Sequence, residues 1–155
     1  MLDIEIKNFS EKFSKDFFQL NKLWIEESWK LEESDKTDLL NPQNIVKKGG
    51  QVFFAILKGR AIGTVAMINS SKNQFELAKM TVKSRYRGNG IANLLMNKCI
   101  KFAKNKNANE IFLISNDSLI IARNLYDKYG FKEVELDSQK YLRGNVKMTL
   151  EITKK

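Results

Sequence analysis

Leu2, Ile4 and Ile6 alternate with Asp3, Glu5 and Lys7, and this period of two predicts a strand over residues 2–8. The period then changes. Phe13, Phe17, Leu20 and Trp24 recur at helical spacing, which predicts a helix capped by Ser10 and running to about residue 29. Residues 30–41 are polar and acidic and read as a turn with a short helix; Pro42 breaks the pattern, Ile45-Val46 suggest another short helix, and Gly49-Gly50 end it. Three apolar runs follow at residues 52–57, 62–68 and 75–82. The breaks between them, Lys58-Gly59-Arg60 and Ser70-Ser71-Lys72-Asn73, are short enough to make the runs an antiparallel meander.

Ile91, Leu94, Leu95, Cys99, Phe102 and Ala103 mark one face of the next helix, and residues 111–114 read as a buried strand. Joined through that helix, this strand is expected to lie parallel to residues 75–82. Leu119, Ala122, Leu125, Tyr126 and Tyr129 mark a further helix, with Gly130 at its C-terminal cap. Residues 131–136 and 146–152 close the pattern as two strands. No repeat, linker or domain boundary interrupts it. The expectation is one domain over residues 1–155, of α/β (α+β) class. A single mixed, mostly antiparallel sheet of six to seven strands would be flanked by helices.

Composition narrows the chemistry. A 155-residue chain that is 43% hydrophobic and 29% charged is long enough to bury a core. No apolar run approaches the ~20 residues that a membrane helix needs, and the first residues do not pattern as a signal peptide. With one cysteine, Cys99, no internal disulfide forms, and cytoplasmic residence is the expectation. Histidine is absent from the chain. A Ser-His-Asp triad is thereby excluded, and a zinc site lacks its usual ligands, so no metal site is expected. The net charge of +9 favours a polyanionic ligand or a nucleic-acid surface. No helix-turn-helix, zinc ligand set or RNP-like strand supports nucleic acid, and scattered solubilising lysines explain most of the excess.

The cluster Lys83-Ser84-Arg85-Tyr86-Arg87 is different, because Gly88-Asn89-Gly90-Ile91-Ala92 follows it directly, between a strand and a helix. Glycine lets a ligand approach the main chain, and a helix start offers N–H donors and a positive dipole end. A pyrophosphate fits such a seat. Asn93 stands where a dinucleotide fingerprint needs a third glycine, and the Gly-Lys-Ser/Thr of a Walker loop is missing. What remains is Arg85-x-x-Gly88-x-Gly90. Beyond it lie Asn116, Leu119, Ala122, Leu125-Tyr126 and Gly130-Phe131.

In these two segments the chain resembles the GCN5-related N-acetyltransferase (GNAT) family, most strongly over residues 51–134. The resemblance implies an acyl-CoA N-acyltransferase fold and an enzyme that moves acetyl from acetyl-CoA to a primary amine by direct attack in a ternary complex. It implies that Arg85, Arg87, Gly88, Asn89, Gly90, Ile91 and Ala92 bind the coenzyme's pyrophosphate end. Asn116 would contact the pantetheine or active-site end; a helix-cap role for it stays open beside this one. The strand over residues 75–82 would carry a bulge and part from its parallel neighbour, so that Met80 and Val82 turn main-chain atoms to the acetyl-pantetheine arm. Tyr126 would be the general acid for the departing thiolate.

Glu76 is the candidate base; pairing with Lys79, or facing solvent, is the plain alternative. Trp24 and Trp29, with Glu26, Glu33 and Asp35, fall where the family builds its acceptor pocket, although a solvated acidic face explains the carboxylates equally well. Cys99 lies on an apolar stripe and reads as packing. The partners implied are acetyl-CoA and an unidentified amine, with a homodimer left open. Two other readings stand beside the enzyme: a domain that binds CoA for sensing without turnover, and a basic nucleic-acid-binding domain.

Overall fold

The computed structural model describes residues 2–71, 73–136 and 144–152. Seven strands form one mixed sheet in the order β1-β2-β3-β4-β5-β7-β6. They are β1 (Glu5–Asn8), β2 (Gln51–Leu57), β3 (Arg60–Ser71), β4 (Gln74–Val82), β5 (Glu110–Ser115), β6 (Lys132–Val134) and β7 (Val146–Glu151). The helices are α1 (Ser14–Glu26), α2 (Glu33–Leu39), α3 (Pro42–Lys47), α4 (Ile91–Asn105) and α5 (Ile120–Lys128).

β1 to β4 pair antiparallel in chain order, as the short breaks between the apolar runs require. β2 shows why the runs are so continuously apolar. Val52, Phe54 and Ile56 pack on one side with Phe13, Phe17, Leu20 and Leu39. Phe53 and Ala55 pack on the other with Leu95, Met96 and Cys99. A strand covered on both faces has no polar set to alternate. Phe54 meets Phe13 at 5.0 Å and Phe17 edge-on at 6.4 Å between ring centres. On the far side Phe102 of α4 meets Phe53 and Phe75 edge-on at 5.9 and 5.3 Å.

α4 carries the chain across to β5, which runs parallel to β4 as the crossover demands. β7 then inserts between β5 and β6, antiparallel to both. Cys99 is fully buried on the α4 stripe, and burial pushes its thiol pKa up, so packing is its role.

Several boundaries differ from the sequence reading. A 3₁₀ turn over Glu11–Phe13 precedes α1, and Ser10 contributes its carbonyl to Phe13 N–H at 2.9 Å rather than a side-chain cap. α1 ends at Glu26, and the chain through Trp29 is turn. Pro42 opens α3 at its first turn, where its missing N–H removes nothing. The strand expected over 131–136 shortens to Lys132–Val134 at the sheet edge. Gly130 closes α5 as expected: its N–H bonds to Asp127 O at 3.0 Å and Phe131 N–H bonds to Tyr126 O at 3.1 Å. Of the expected strands' linking segment, residues 137–143 lie outside the described residues. No helix among the described residues is long and apolar enough to cross a membrane.

Candidate active site

β4 and β5 pair at only three positions, Gln74 with Glu110, Phe75 with Ile111 and Glu76 with Phe112. Beyond Glu76, β4 stays with β3 while β5 stays with β7 up to Ser115. The two parallel strands therefore part. A cavity of about 820 Å³ occupies the space between them. That volume suits a ligand much larger than a metabolite fragment. β4 from Glu76 to Val82 forms one wall; β5 and Asn116 form the other. Gly88, Gly90 and the first residues of α4 close one end, α5 supplies Leu125 and Tyr126, and the end of α1 supplies Trp24, Glu27 and Trp29.

The Arg/Gly loop is shaped for backbone donation. Ser84–Tyr86 is a 3₁₀ turn, Arg87 is extended, and Gly88 and Gly90 take φ of +82° and +77°. A Cβ built on either glycine meets nothing within 4 Å. These positions are glycine because of their backbone angles, and open space faces them. Gly90 is the N-cap of the fifteen-residue helix α4, whose first N–H groups lack intrahelical partners. Asn89 turns its side-chain amide back onto Tyr86 O at 2.9 Å and so holds the loop rather than facing the cavity. Arg85 lies over the Tyr86 ring at 5.2 Å and is exposed, outside the cavity lining. Arg87 does line it, donating Nε to Val82 O at 2.9 Å and reaching Glu27 at 3.4 Å. Ile91 and Ala92 line it too.

Met80 and Val82 both reach the cavity from β4. The bulge expected there is present: register slips between Ala78 and Thr81, so that Lys79 and Met80 together oppose Val65. Asn116 lines the cavity at the end of β5, and its Oδ1 accepts from Ser118 N–H at 2.9 Å and from the Ser118 hydroxyl at 2.6 Å. It shapes the turn before α5; the cap position of that helix belongs to Leu119.

Tyr126 sits in the cavity wall with its ring 5.9 Å from Phe131. Among the described residues its hydroxyl makes no hydrogen bond, whereas the neighbouring Tyr129 hydroxyl donates to Asn93 Oδ1 at 2.9 Å. Tyr129 braces α5 on α4, while Tyr126 and Tyr86 line the cavity. Burial pushes the Tyr126 pKa up to about 12. The phenol therefore keeps its proton throughout the neutral range and acts there as a donor. Raising the pH should strip that donor only on approaching the shifted value. An alkaline fall in kcat/KM that is present in the native chain and absent from a Tyr126→Phe variant is accordingly expected above about pH 11, in a pH–rate profile of both proteins.

Glu76 is 5% exposed and stands at the last parallel pair, where the strands begin to part. The solvent-facing alternative for it is thereby overturned: what little opening it has is onto the cavity, not the outer surface. The acidic residues beside the tryptophans divide. Glu26 pairs with Lys22 at 3.3 Å and Glu33 with Lys36 at 3.3 Å, both on helix surfaces. Neither lines the cavity; Glu27 does, and Trp24 and Trp29 pack there at 5.8 Å. Asp35 is buried against Lys79. Lys79 itself lines the cavity and was not among the expected site residues, since one lysine in a lysine-rich chain gives no signal. Among the described residues no group of three His, Cys, Asp or Glu is arranged to hold a metal.

A parted pair of parallel strands, with a glycine-bearing helix start at one end and Tyr86 and Tyr126 on the wall, defines an acyl-CoA N-acyltransferase fold. A profile of the Acetyltransferase (GNAT) family matches residues 8–131. The chain belongs to that family. It is 38% identical over 107 residues to N-acetylaspartate synthetase of Xenopus tropicalis, covering 67% of this chain and 40% of that protein. Against the Homo sapiens protein of the same name it is 33% identical over 115 residues, covering 73% and 37%. The chain thus matches well under half the length of these curated relatives. A GNAT acetyltransferase of Staphylococcus aureus superposes with a TM-score of 0.90 at 26% identity, covering 97% of this chain and 100% of that one. The PaiA N-acetyltransferase of Thermoplasma acidophilum, solved in complex with coenzyme A, superposes at 0.77 with 19% identity, covering 97% and 99%; that likeness is one of fold.

Proposed function

We propose that residues 1–155 act as one domain that transfers acetyl from acetyl-CoA to a primary amine by direct attack in a ternary complex. The observation that carries this reading is the three-residue limit of the β4–β5 pairing, which leaves main-chain groups of β4 facing a cavity that begins at the Gly88–Gly90 loop. Amides from Arg87 to Ala92 take the pyrophosphate, with Arg85 contributing charge at the rim. Main-chain groups of Met80 and Val82, with Asn116 opposite, align the acetyl-pantetheine arm. The amine nitrogen bonds to the thioester carbonyl carbon, the developing oxyanion is met by fixed N–H donors, and the C–S bond then breaks. Tyr126 hydrogen-bonds the departing thiolate and supplies its proton. Glu76 takes the proton lost by the amine, directly or through water.

Trp24, Trp29 and Glu27 form the acceptor side of the cavity. The relatives named for N-acetylaspartate make a free amino acid one class of acceptor to test, beside polyamines and peptide amines. A panel of such amines, with thiol release from acetyl-CoA as the readout, is the deciding experiment. Coenzyme binding without release of thiol by any amine would favour a sensing domain instead.

Binding of the coenzyme has its own check. At about a hundred times its Kd, acetyl-CoA should stabilise the fold by roughly 2.7 kcal/mol. For a chain of this size that is roughly 5–10 °C in Tm. A thermal-shift assay showing no change at saturation would remove the coenzyme from the reading.

A further inference from the structure

The β4 bulge is built around an unusual residue. Lys79 takes φ of +59°, a left-handed backbone that side chains other than glycine seldom adopt. Glycine or asparagine fills such positions cheaply; here a long cation does, so something must hold it. Its ammonium is buried at 3% side-chain exposure and lies 3.2 Å from Asp35 Oδ1 and 3.8 Å from Asp38 Oδ2. Asp35 is fully buried, and its second oxygen accepts Glu32 N–H at 2.9 Å, closing the capping box that starts α2. The kink in β4 is therefore tied by a charged, solvent-shielded bond to an element forty-four residues away in the chain. Met80, the next residue, lines the cavity.

We propose that Lys79 is a positioning residue for acetyl transfer: its bond to Asp35 fixes the bulge and thereby the direction of the Met80 main-chain N–H toward the thioester carbonyl. This rests on the reading of Met80 given above. An unclamped strand could slide back into regular pairing with β3, turning that N–H to a neighbouring carbonyl. Asp38, one turn further along α2, adds a second carboxylate to the clamp.

The test uses the full chain labelled with ¹⁵N, titrated first with CoA and then with acetyl-CoA. In the native chain the amides of Gly88 to Ala92 should move with either ligand, and the Met80 amide should respond specifically to the acetyl group. Asp35→Asn keeps an oxygen for Glu32 N–H and replaces the oxygen that accepts from Lys79 with a donor, removing both the charge and that bond. Lys79→Gly keeps the backbone angle accessible and removes the clamp. Both should bind CoA within twofold of the native Kd yet lose at least half of the acetyl-specific Met80 shift. Met148→Ala, a core truncation on β7, lowers stability without touching the clamp and should leave that shift intact. If Lys79→Gly does not fold, Asp35→Asn decides alone. A full Met80 response in the variant, or an equal loss in Met148→Ala, overturns the proposal. Silent Gly88–Ala92 amides in the native chain would instead end the coenzyme reading, and this inference with it.

Discussion

Tyr126→Phe is expected to lower kcat by roughly 10²-fold or more, the low end of what a positioned proton donor contributes, while leaving the Kd for CoA within about twofold. The substitution is narrow. It removes one oxygen and retains the ring that packs against Phe131 at 5.9 Å. The hydroxyl holds no hydrogen bond among the described residues, so its loss orphans no buried partner, and Tm should move little. A raised pKa of about 12 makes the phenol a reluctant full acid. A free thiol titrates near 8.5, so the thiolate is the weaker base, and the donor's first effect is to stabilise negative charge on sulfur as the C–S bond stretches. The measurement pairs steady-state thiol release with calorimetric CoA binding. Equal turnover in native and variant proteins would make Tyr126 a packing residue.

Gly88→Val should weaken CoA binding by about tenfold to a hundredfold, the equivalent of one or two charge-assisted hydrogen bonds lost or misdirected. At φ of +82° a β-branched side chain is strained, at roughly 1–2 kcal/mol. That strain is relieved by rotating the loop, which re-aims the N–H groups at the start of α4. A Cβ here meets nothing within 4 Å, so open space faces the added side chain. The fold should survive, with a Tm loss of a few degrees at most. Calorimetry with CoA and a melting curve without it separate the two effects. Unchanged affinity would place the pyrophosphate elsewhere.

The parts of the molecule read well from sequence are those decided locally. The meander over β2, β3 and β4 follows from apolar runs cut by breaks of three and four residues, and the glycine loop follows from residue type and position. The parallel placement of β5 follows from handed connection through α4. The point where β4 and β5 separate is not local. The kink at Lys79 just beyond it is not local either: it is tied to Asp35 of α2, and no pattern within residues 74–82 announces that partner. The acceptor side failed for a smaller reason. Glu26 and Glu27 are adjacent, but near a helix end one position rotates a side chain by about 100°, and it is Glu27 that reaches the cavity while Glu26 meets Lys22. Ser10 shows the limit of a propensity argument: its backbone, not its hydroxyl, serves the turn that precedes α1. The roles proposed for Tyr126, Asn116 and Met80 rest on the family resemblance; periodicity alone leaves them in a packed wall.

The place of β7 has a consequence for biosynthesis. It lies between β5 and β6, although both are translated before it. While residues 146–151 are still being made, β5 has a bare flank and β6 has nothing to join. The sheet is therefore completed by a strand that slips in beside its edge, and until it does the emerging polypeptide carries an unsatisfied hydrogen-bonding flank that a chaperone, or another nascent copy, can reach.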